Sequence, residues 1–565
     1  MNKFLKRAAA LLLGVCMVLP ALTACGGAEK DDGTISIFKW DFASLNSARR
    51  QKTPLYLKMK EVANGYDLKA ETCGYADWES TINNMYHTGT LPDVFINYTV
   101  DRPQTFSKWI RNESVLNIGD YVSETQYPNI YNRLQEFDWL LDRVDYLNNK
   151  WYFIPIKIEQ THGMFVRTDW IDNLNGKLAN ILVSEGVISN VNAMTDAIYE
   201  ANKFVVPNTL IEFYRLAKAF TIYDPDNDGK ANTYGYTCSG NLMWYNNWVF
   251  EAFGSTYWGF VEDGAGSLTS SWITDENKQA VAFLNRLYEE GIMDPDYTAM
   301  TDPKKIDNFC SGRTGIMVDN IYYNNYLEQF RSTNKMTVEE AKNSFTVIAP
   351  PSGETGTRGL RGNPGFWCGT SINADVGENK RNAILKLLDY MLSEEGDSTF
   401  TYGLEGEHYD VVGGEKVSKM GQDNNGYNYT IRTTDVAFDI VSLVDWTYSY
   451  NPGFSSNYEY VESLLENAKA YNYVDEVSYV QTPLYIEKEQ ILGNSSYERF
   501  VQLISTNYGT YNKTSLGTIT WDTFDLNVAA FNTDWSKFKS MFLNNWGGQA
   551  MLTEWSAEAV KYLNK

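Results

Sequence analysis

The architecture turns on NKWYFIPIKIEQTHGMFVRTDWIDNL, residues 149–174. This is a hinge-like extended run that ends in a helix start at Asp169. Pro155 biases the residue before it to extended geometry. Working outward, strand and helix patterns alternate on both sides. Upstream, TISIFKW (34–40) alternates and is β-branched, so it is predicted as the first strand. LYLKMKEVAN (55–64) and DWESTINNMYHTG (77–89) have helical spacing, the second with a glycine stop. LPDVFINYT (91–99) is a strand after a Pro-Asp turn, and SKWIRNESVLNIGDYV (107–122) gives helix, turn and helix. Downstream, residues 176–203 are apolar and helical, and PNTLIEFYRLAKAF (207–220) is a helix with an Asn/Thr cap. ENKQAVAFLNRLYEEG (276–291) and RNAILKLLDYMLSEEG (381–396) are further helices. CSGRTGIMV (310–318) and FTVIAPPSG (345–353) carry strands, and 536–564 reads as two helices around Gly547-Gly548. Strands alternating with helices predict an α/β fold in two halves, joined near Pro155 and again near Pro350.

Composition sets the outer limits. The chain has 565 residues, 43% hydrophobic and 21% charged, the balance of a globular protein. Single cores stop growing at roughly 250–300 residues, so two or more lobes are expected. Lys plus Arg number 48 against 71 Asp plus Glu, a net charge of −23, which argues against nucleic acid as a partner. Aromatics reach 15%, with 39 Tyr and 16 Trp, a surplus that fits a carbohydrate-facing surface and ordinary cores alike.

Residues 1–24 read as a lipoprotein signal peptide. Lys3, Lys6 and Arg7 form a positive segment, an apolar stretch runs from Ala8 to Leu22, and Leu22-Thr23-Ala24-Cys25 closes it like a bacterial lipobox. Cys25 is the expected lipidation site, and 25–33 a lipidated tether. Cleavage would remove three positive charges and take the net charge from −23 to −26. No later stretch is long and apolar enough to span a bilayer, so the mature chain is expected outside the cytoplasm, held by lipid alone. Cys73, Cys238, Cys310 and Cys368 are widely spaced and lack CxxC. One or two disulfides and buried free thiols fit that spacing equally.

The loop Asp224-Pro-Asp226-Asn-Asp228-Gly229-Lys230-Ala-Asn232 follows the spacing of an EF-hand-type calcium loop. Oxygens of Asp224, Asp226 and Asp228 would converge, the Lys230 carbonyl would add one, and Asn232 stands at position nine. Position twelve is Gly235, so the usual bidentate Glu is missing. An Asx-rich turn is the simpler alternative. A bound calcium would be structural, and no organic cofactor is expected. Arg167 and Asp169 read as a structural ion pair at a helix start. Glu405, Glu407 and His408 could suggest acid–base work. There is no HExxH, GxSxG, Walker loop or GxGxxG to support an enzyme.

The ordered segments resemble the bacterial extracellular solute-binding proteins of family 1, the substrate-binding lipoproteins of sugar ABC importers, and especially their long oligosaccharide-binding subgroup. The residues that carry the resemblance are LPDVF (91–95), the hinge run 149–174 with its Arg-x-Asp-Trp helix start, the Pro-x-Thr helix and acidic loop over 207–236, and LLDYMLSEEGDSTFTYGLEGEHYD (387–410). Residues 175–206 look like an insertion, and 410–535 carry no alignable motif. The resemblance implies a two-lobed periplasmic-binding-protein-like type II fold, α/β, with hinge strands between lobes. The expected lobes are 34–155 with 352–430, and 156–351 with 431–565. It implies a monomer that captures a carbohydrate by lobe closure and delivers it to the transmembrane subunits of an ABC permease. It also implies a cleft at the strand ends, where Trp40, Asp41, Asn97, Tyr98, Trp244, Tyr245, Trp248 and Trp367 would bind the sugar. A pyranose lays its C–H face on an aromatic ring, while its hydroxyls need fixed polar partners. The rival class is a lipid-tethered glycoside hydrolase or lyase, and a third reading is an adhesin or peptide-binding lipoprotein.

Overall fold

The structure is a computed structural model that describes residues 31–40, 53–97, 103–143, 147–157, 162–240, 245–257, 259–262, 268–320, 326–361, 365–422, 429–435, 443–444, 454, 470–473, 483–509, 511, 516 and 519–554. Fifteen strands are described: β1 (Thr34–Trp40), β2 (Asp67–Cys73), β3 (Val94–Asn97), β4 (Ile154–Lys157), β5 (His162–Arg167), β6 (Tyr234–Thr237), β7 (Phe260–Glu262), β8 (Leu268–Ser270), β9 (Thr314–Asn320), β10 (Phe345–Ile348), β11 (Leu360–Arg361), β12 (Phe366–Ile372), β13 (Tyr409–Val412), β14 (Glu415–Ser418) and β15 (Asn472–Tyr473).

The first sheet has the order β2-β1-β3-β12-β4. β1 runs parallel to β2 and β3, while β12 runs antiparallel to β3 and β4. Ile35, Ile37, Phe38, Phe95 and Ile96 are buried, because helices cover both faces of a largely parallel sheet. The helix Pro54–Val62 starts where Thr53 accepts a hydrogen bond from the Tyr56 amide at 3.3 Å. The helix Tyr75–Thr88 stops at Gly89, whose φ of 69° forms the left-handed cap. Gly369 of β12 is obligatory: a Cβ there would lie 2.3 Å from the ring of Phe153.

The second sheet has the order β10-β5-β9-β6. β5 is antiparallel to both neighbours, and β9 is parallel to β6. Alternate residues serve two layers, as strand geometry dictates. Met164, Val166, Ile316 and Val318 join the core around the helices Leu210–Ile222 and Asp275–Glu289. Phe165, Met317 and Phe345 face the opposite layer with Phe309 and Phe330. The predicted Asn/Thr cap takes the form of a capping box, in which Thr209 and Glu212 satisfy each other's backbone amides.

Three crossings join the sheets. Residues 158–161 alone separate the end of β4 from the start of β5. The second runs from β10 through β11 to β12. On the third, β15 lies parallel to β11, with Leu360 opposite Asn472. The structure departs from the expected lobe limits at residue 431. The buried Asp435 carboxylate accepts the Leu55 amide at 3.0 Å, and the Val444 carbonyl accepts a 2.8 Å bond from Arg133, so this segment packs on the first sheet. Only afterwards does the chain reach the second core, through Phe500, Leu503 and Ile504 of the helix Pro483–Ser505. All four cysteines described are free thiols, three of them buried. Among the described residues, no helix is long and apolar enough to cross a membrane.

Candidate ligand cleft

Strand direction decides which residues meet. β1 and β3 both end toward one edge of the first sheet, antiparallel β12 begins there, and β4 ends there before its short crossing. That edge therefore carries the backbone of Trp40, Asn97, Lys157 and Phe366–Gly369. In the second sheet, β5 begins at the crossing with His162, which pairs with Asn320 at the end of β9, and parallel β6 ends nearby at Thr237. That edge of the second sheet thus holds His162, Asp319 and Thr237, with Tyr245 packed against His162. Open α/β sheets bind ligands beyond their strand ends.

The expected residues have different fates. Asn97 ends β3 with 1% of its surface exposed. Its side-chain amide donates to the Ser371 hydroxyl, while its Oδ1 has no hydrogen-bond partner. A cavity of about 10 Å³, lined by Asn97, Trp78, Phe106 and Trp109, adjoins it, room for about one water. Trp40 ends β1, and Trp367 lies where the β12–β4 register shifts between Phe366 and Gly369. Such a bulge re-aims a strand at the edge of a site. Asp41, Tyr98 and Trp244 lie outside the described residues.

Tyr245 is 7% exposed at the second edge, with the His162 ring edge-on to it at 6.0 Å. Lys305 lies under the same ring, its Nζ 3.2 Å from the centroid. That ammonium is fully buried, 2.9 Å from Asp319 and 3.0 Å from the Val318 carbonyl, so its charge is paired and hydrogen-bonded. Thr237, also fully buried, has an Oγ1 with no hydrogen-bond partner. Burial pushes the neighbouring Cys238 thiol up to about 12, which keeps it uncharged and inert.

Trp248 corrects the expectation. It is fully buried, its ring edge-on to Phe213 at 4.8 Å and its indole N–H donating to the Tyr236 hydroxyl at 3.3 Å. It is a core residue of the helix Asn247–Ala252, with no face left for a sugar. Lys305 and Thr237 were missed, and no local signal marks them. Lys304 and Lys305 are adjacent in sequence, yet one is exposed and the other buried.

The other chemical candidates lie elsewhere. Glu405 and Glu407 are exposed on a turn, whereas His408 is buried and its Nδ1 accepts the Leu404 amide at 2.9 Å. Arg167 binds Asp169 through two hydrogen bonds of 2.7 and 2.6 Å and stacks over Trp170 and Phe330, the structural ion pair that was expected.

The loop 224–232 precedes β6, at the end of the sheet opposite the cleft. Carboxylate oxygens of Asp224, Asp226 and Asp228 lie within 4.8 Å of one another. Positive φ at Asp224 (47°), Asn227 (57°) and Gly229 (79°) folds them inward. Asp226 Oδ1 is buried without a partner, and its carboxyl is raised above the usual range by burial and by the adjacent Asp224. Both features fit a cation, which would repair them. Lys230 and Asn232 instead reach Asp228, each at 3.1 Å. Position twelve could not hold a Glu. A Cβ on Gly235 would lie 2.0 Å from the Ala217 carbonyl oxygen, where β6 crosses the helix Leu210–Ile222.

The sequence matches the family described as bacterial extracellular solute-binding protein over residues 56–402. Among curated relatives, the polygalacturonan/rhamnogalacturonan-binding protein YtcQ of Bacillus subtilis (strain 168) is 26% identical over 405 residues, covering 69% of this chain and 70% of the relative. Lipoprotein LipO of the same organism is 22% identical over 364 residues, covering 63% of this chain and 64% of the relative. Among solved structures, the FusA ABC-transporter substrate-binding protein of S. pneumoniae, in complex with kestose, aligns over 94% of this chain and 100% of its own. Its TM-score is 0.61 and its identity 14%. An extracellular solute-binding protein from Bifidobacterium longum subsp. infantis aligns over 94% and 98%, with a TM-score of 0.59 and 13% identity. These likenesses identify the fold as the two-lobed α/β fold of solute-binding proteins.

Proposed function

The chain belongs to the bacterial extracellular solute-binding proteins, and from that premise we propose that it captures an oligosaccharide between its lobes and delivers it to an ABC permease. The observation that carries the reading is that β4 ends at Lys157 and β5 begins at His162, so strand ends of both sheets lie at one crossing. Asn97 Oδ1 on one sheet and Thr237 Oγ1 on the other are buried polar atoms lacking partners. Such atoms are costly unless a ligand or water completes them. In this proposal the lobes part to admit the sugar, its hydroxyls complete these atoms, and its C–H bonds lie on aromatic residues of the same strand ends. Ligand bound to both edges stabilises the closed arrangement over the open one. The proposed binding set is Trp40, Asp41, Asn97, Tyr98, Trp244, Tyr245 and Trp367, with Trp248 removed. The lobes are proposed as residues 34–157 with 365–444, and 162–361 with 483–554.

YtcQ supports a pectin-derived oligosaccharide as ligand, and FusA with kestose supports an uncharged fructan. The lipobox at Cys25 and the likeness to lipoprotein LipO support lipid anchoring at the outer face of the cell membrane. The protein acts as a monomer, and calcium in the 224–232 loop is structural. No bond is broken in this reading.

The test is a thermal-shift screen of residues 33–565 against oligogalacturonides and fructo-oligosaccharides, with product analysis of every hit. A ligand at a hundredfold excess over Kd adds about 2.7 kcal/mol of stability. A shift with the sugar recovered intact supports the proposal. A sugar returned cleaved would sink it in favour of a hydrolase or lyase.

A further inference from the structure

A second concavity lies on the second lobe, outside the cleft. It is a groove of about 540 Å³ between the helix Asp275–Glu289, the loop at Glu354-Thr355 and the segment 521–532. This is within the size range of small-molecule sites. None of the cleft-edge residues lines it. The helix Asn247–Ala252, about 9 Å long, separates it from Tyr245.

Its floor is aromatic and firmly backed. Phe253, Trp521 and Phe524 line it. Trp521 is half-buried and stands edge-on to Phe524, at 6.5 Å and 89°. The guanidinium of the fully buried Arg286 lies 4.3 Å from the Phe524 ring centroid. Arg286 in turn is fixed by Glu290 at 2.8 Å and by the Asp525 carbonyl at 3.1 Å. The rim is polar in both senses. Gln279 offers a carboxamide and Asn527 its side-chain N–H groups, its oxygen accepting from the Asn532 amide, and the Asn532 Oδ1 is a buried acceptor with no hydrogen-bond partner. Three carboxylates, Glu276, Glu354 and Asp525, stand against one ammonium, Lys278.

We infer that this groove is a second saccharide site, selective for uncharged sugar units. The inference rests on the carbohydrate-binding reading above. The half-buried Trp521 ring, with Phe253 beside it in the lining, takes the C–H face of a pyranose or furanose, and the mixed donors and acceptors of the rim take its hydroxyls. The excess of carboxylates repels a uronate, so the groove discriminates by charge.

Hydrogen–deuterium exchange on the whole mature protein tests this, with kestose and with trigalacturonate as probes. Expected is protection of peptides covering 521–532 by kestose and none there by trigalacturonate. Trp521→Ala should weaken that protection about tenfold, leaving the cleft peptides around 94–97 and 234–248 as in the wild type. Gln279→Trp, at an exposed helix position, fills the groove without removing packing and should abolish it. Protection confined to the cleft peptides would overturn the second site and leave the function standing. Protection of 521–532 that persists in both variants, or that trigalacturonate produces equally, would also overturn it. Absence of protection anywhere with either probe would overturn both readings.

Discussion

Withdrawing calcium should destabilise the protein, and neutralising Asp226 should shrink that response, raising the Tm in chelator and lowering it in calcium relative to the wild type. EF-hand affinity is set by ligand charge and site rigidity. Here three carboxylates converge, and the bidentate Glu is excluded because a Cβ on Gly235 would lie 2.0 Å from the Ala217 carbonyl oxygen. A site without that ligand belongs at the weak end of the range, with Kd about 10⁻⁴ M. Calcium at about 10 mM is then a hundredfold excess and adds about 2.7 kcal/mol. For a lobe of 150–250 residues this is a rise in Tm of about 5–10 °C. In chelator, Asp226 is a liability, because burial and the adjacent Asp224 both disfavour its charge. Asp226→Asn should therefore melt above the wild type in chelator and below it in calcium. The assay is scanning calorimetry in about 10 mM calcium and in chelator, with magnesium as the control for ionic strength. A wild-type Tm unchanged between calcium and chelator would refute the argument. A full calcium shift retained by Asp226→Asn would remove Asp226 from the ligand set.

Three further outcomes follow from the packing. Arg286→Met should cost about 3 kcal/mol in denaturant unfolding, the low end for breaking a buried pair, because Glu290 keeps Lys218 at 2.8 Å and Tyr214 at 2.5 Å; a loss under about 1 kcal/mol would show that those two suffice. Stability should fall on acidification in two steps. Burial lowers the His408 pKa, so the unfolded chain takes up that proton first and stability drops as pH falls below about 6.5. Burial pushes Glu290 up, but Lys218 and Tyr214 outweigh it, so its contribution is lost as pH falls below about 4.5; urea titrations from about pH 8 to 2 read both steps, and flat stability would contradict the assignment. Asn97→Leu should cost about 1 kcal/mol of stability through the lost Ser371 bond, yet weaken oligosaccharide binding about tenfold or more; unchanged affinity by calorimetry would take Asn97 out of the cleft.

Much of this was legible locally. TISIFKW is the strand Thr34–Trp40, the helix start at Thr209 follows its cap, and the Gly89 stop is a left-handed cap. β2 was not predicted, because DLKAETC mixes exposed and half-buried residues on a sheet edge, with Leu68 its one buried side chain. Residues 431–435 and 443–444 were assigned to the other lobe because their anchors are long-range contacts, Asp435 to Leu55, Leu443 to Thr370, and Val444 to Arg133 and Lys157, which leave no periodic trace.

The sequence by itself determined where strands and helices alternate, where the chain crosses between halves, and which loop gathers oxygens, because capping, periodicity and turn chemistry act over a few residues. Only the tertiary structure decided that Trp248 is core while Tyr245, three residues away, packs against His162 and Lys305. Only it turned Lys305 inward and Lys304 outward, and only it closed position twelve of the acidic loop. Each of these depends on what packs opposite: Phe213 over Trp248, Asp319 beside Lys305, the Ala217 carbonyl against Gly235. Those partners are brought together by long-range folding, which no local pattern encodes.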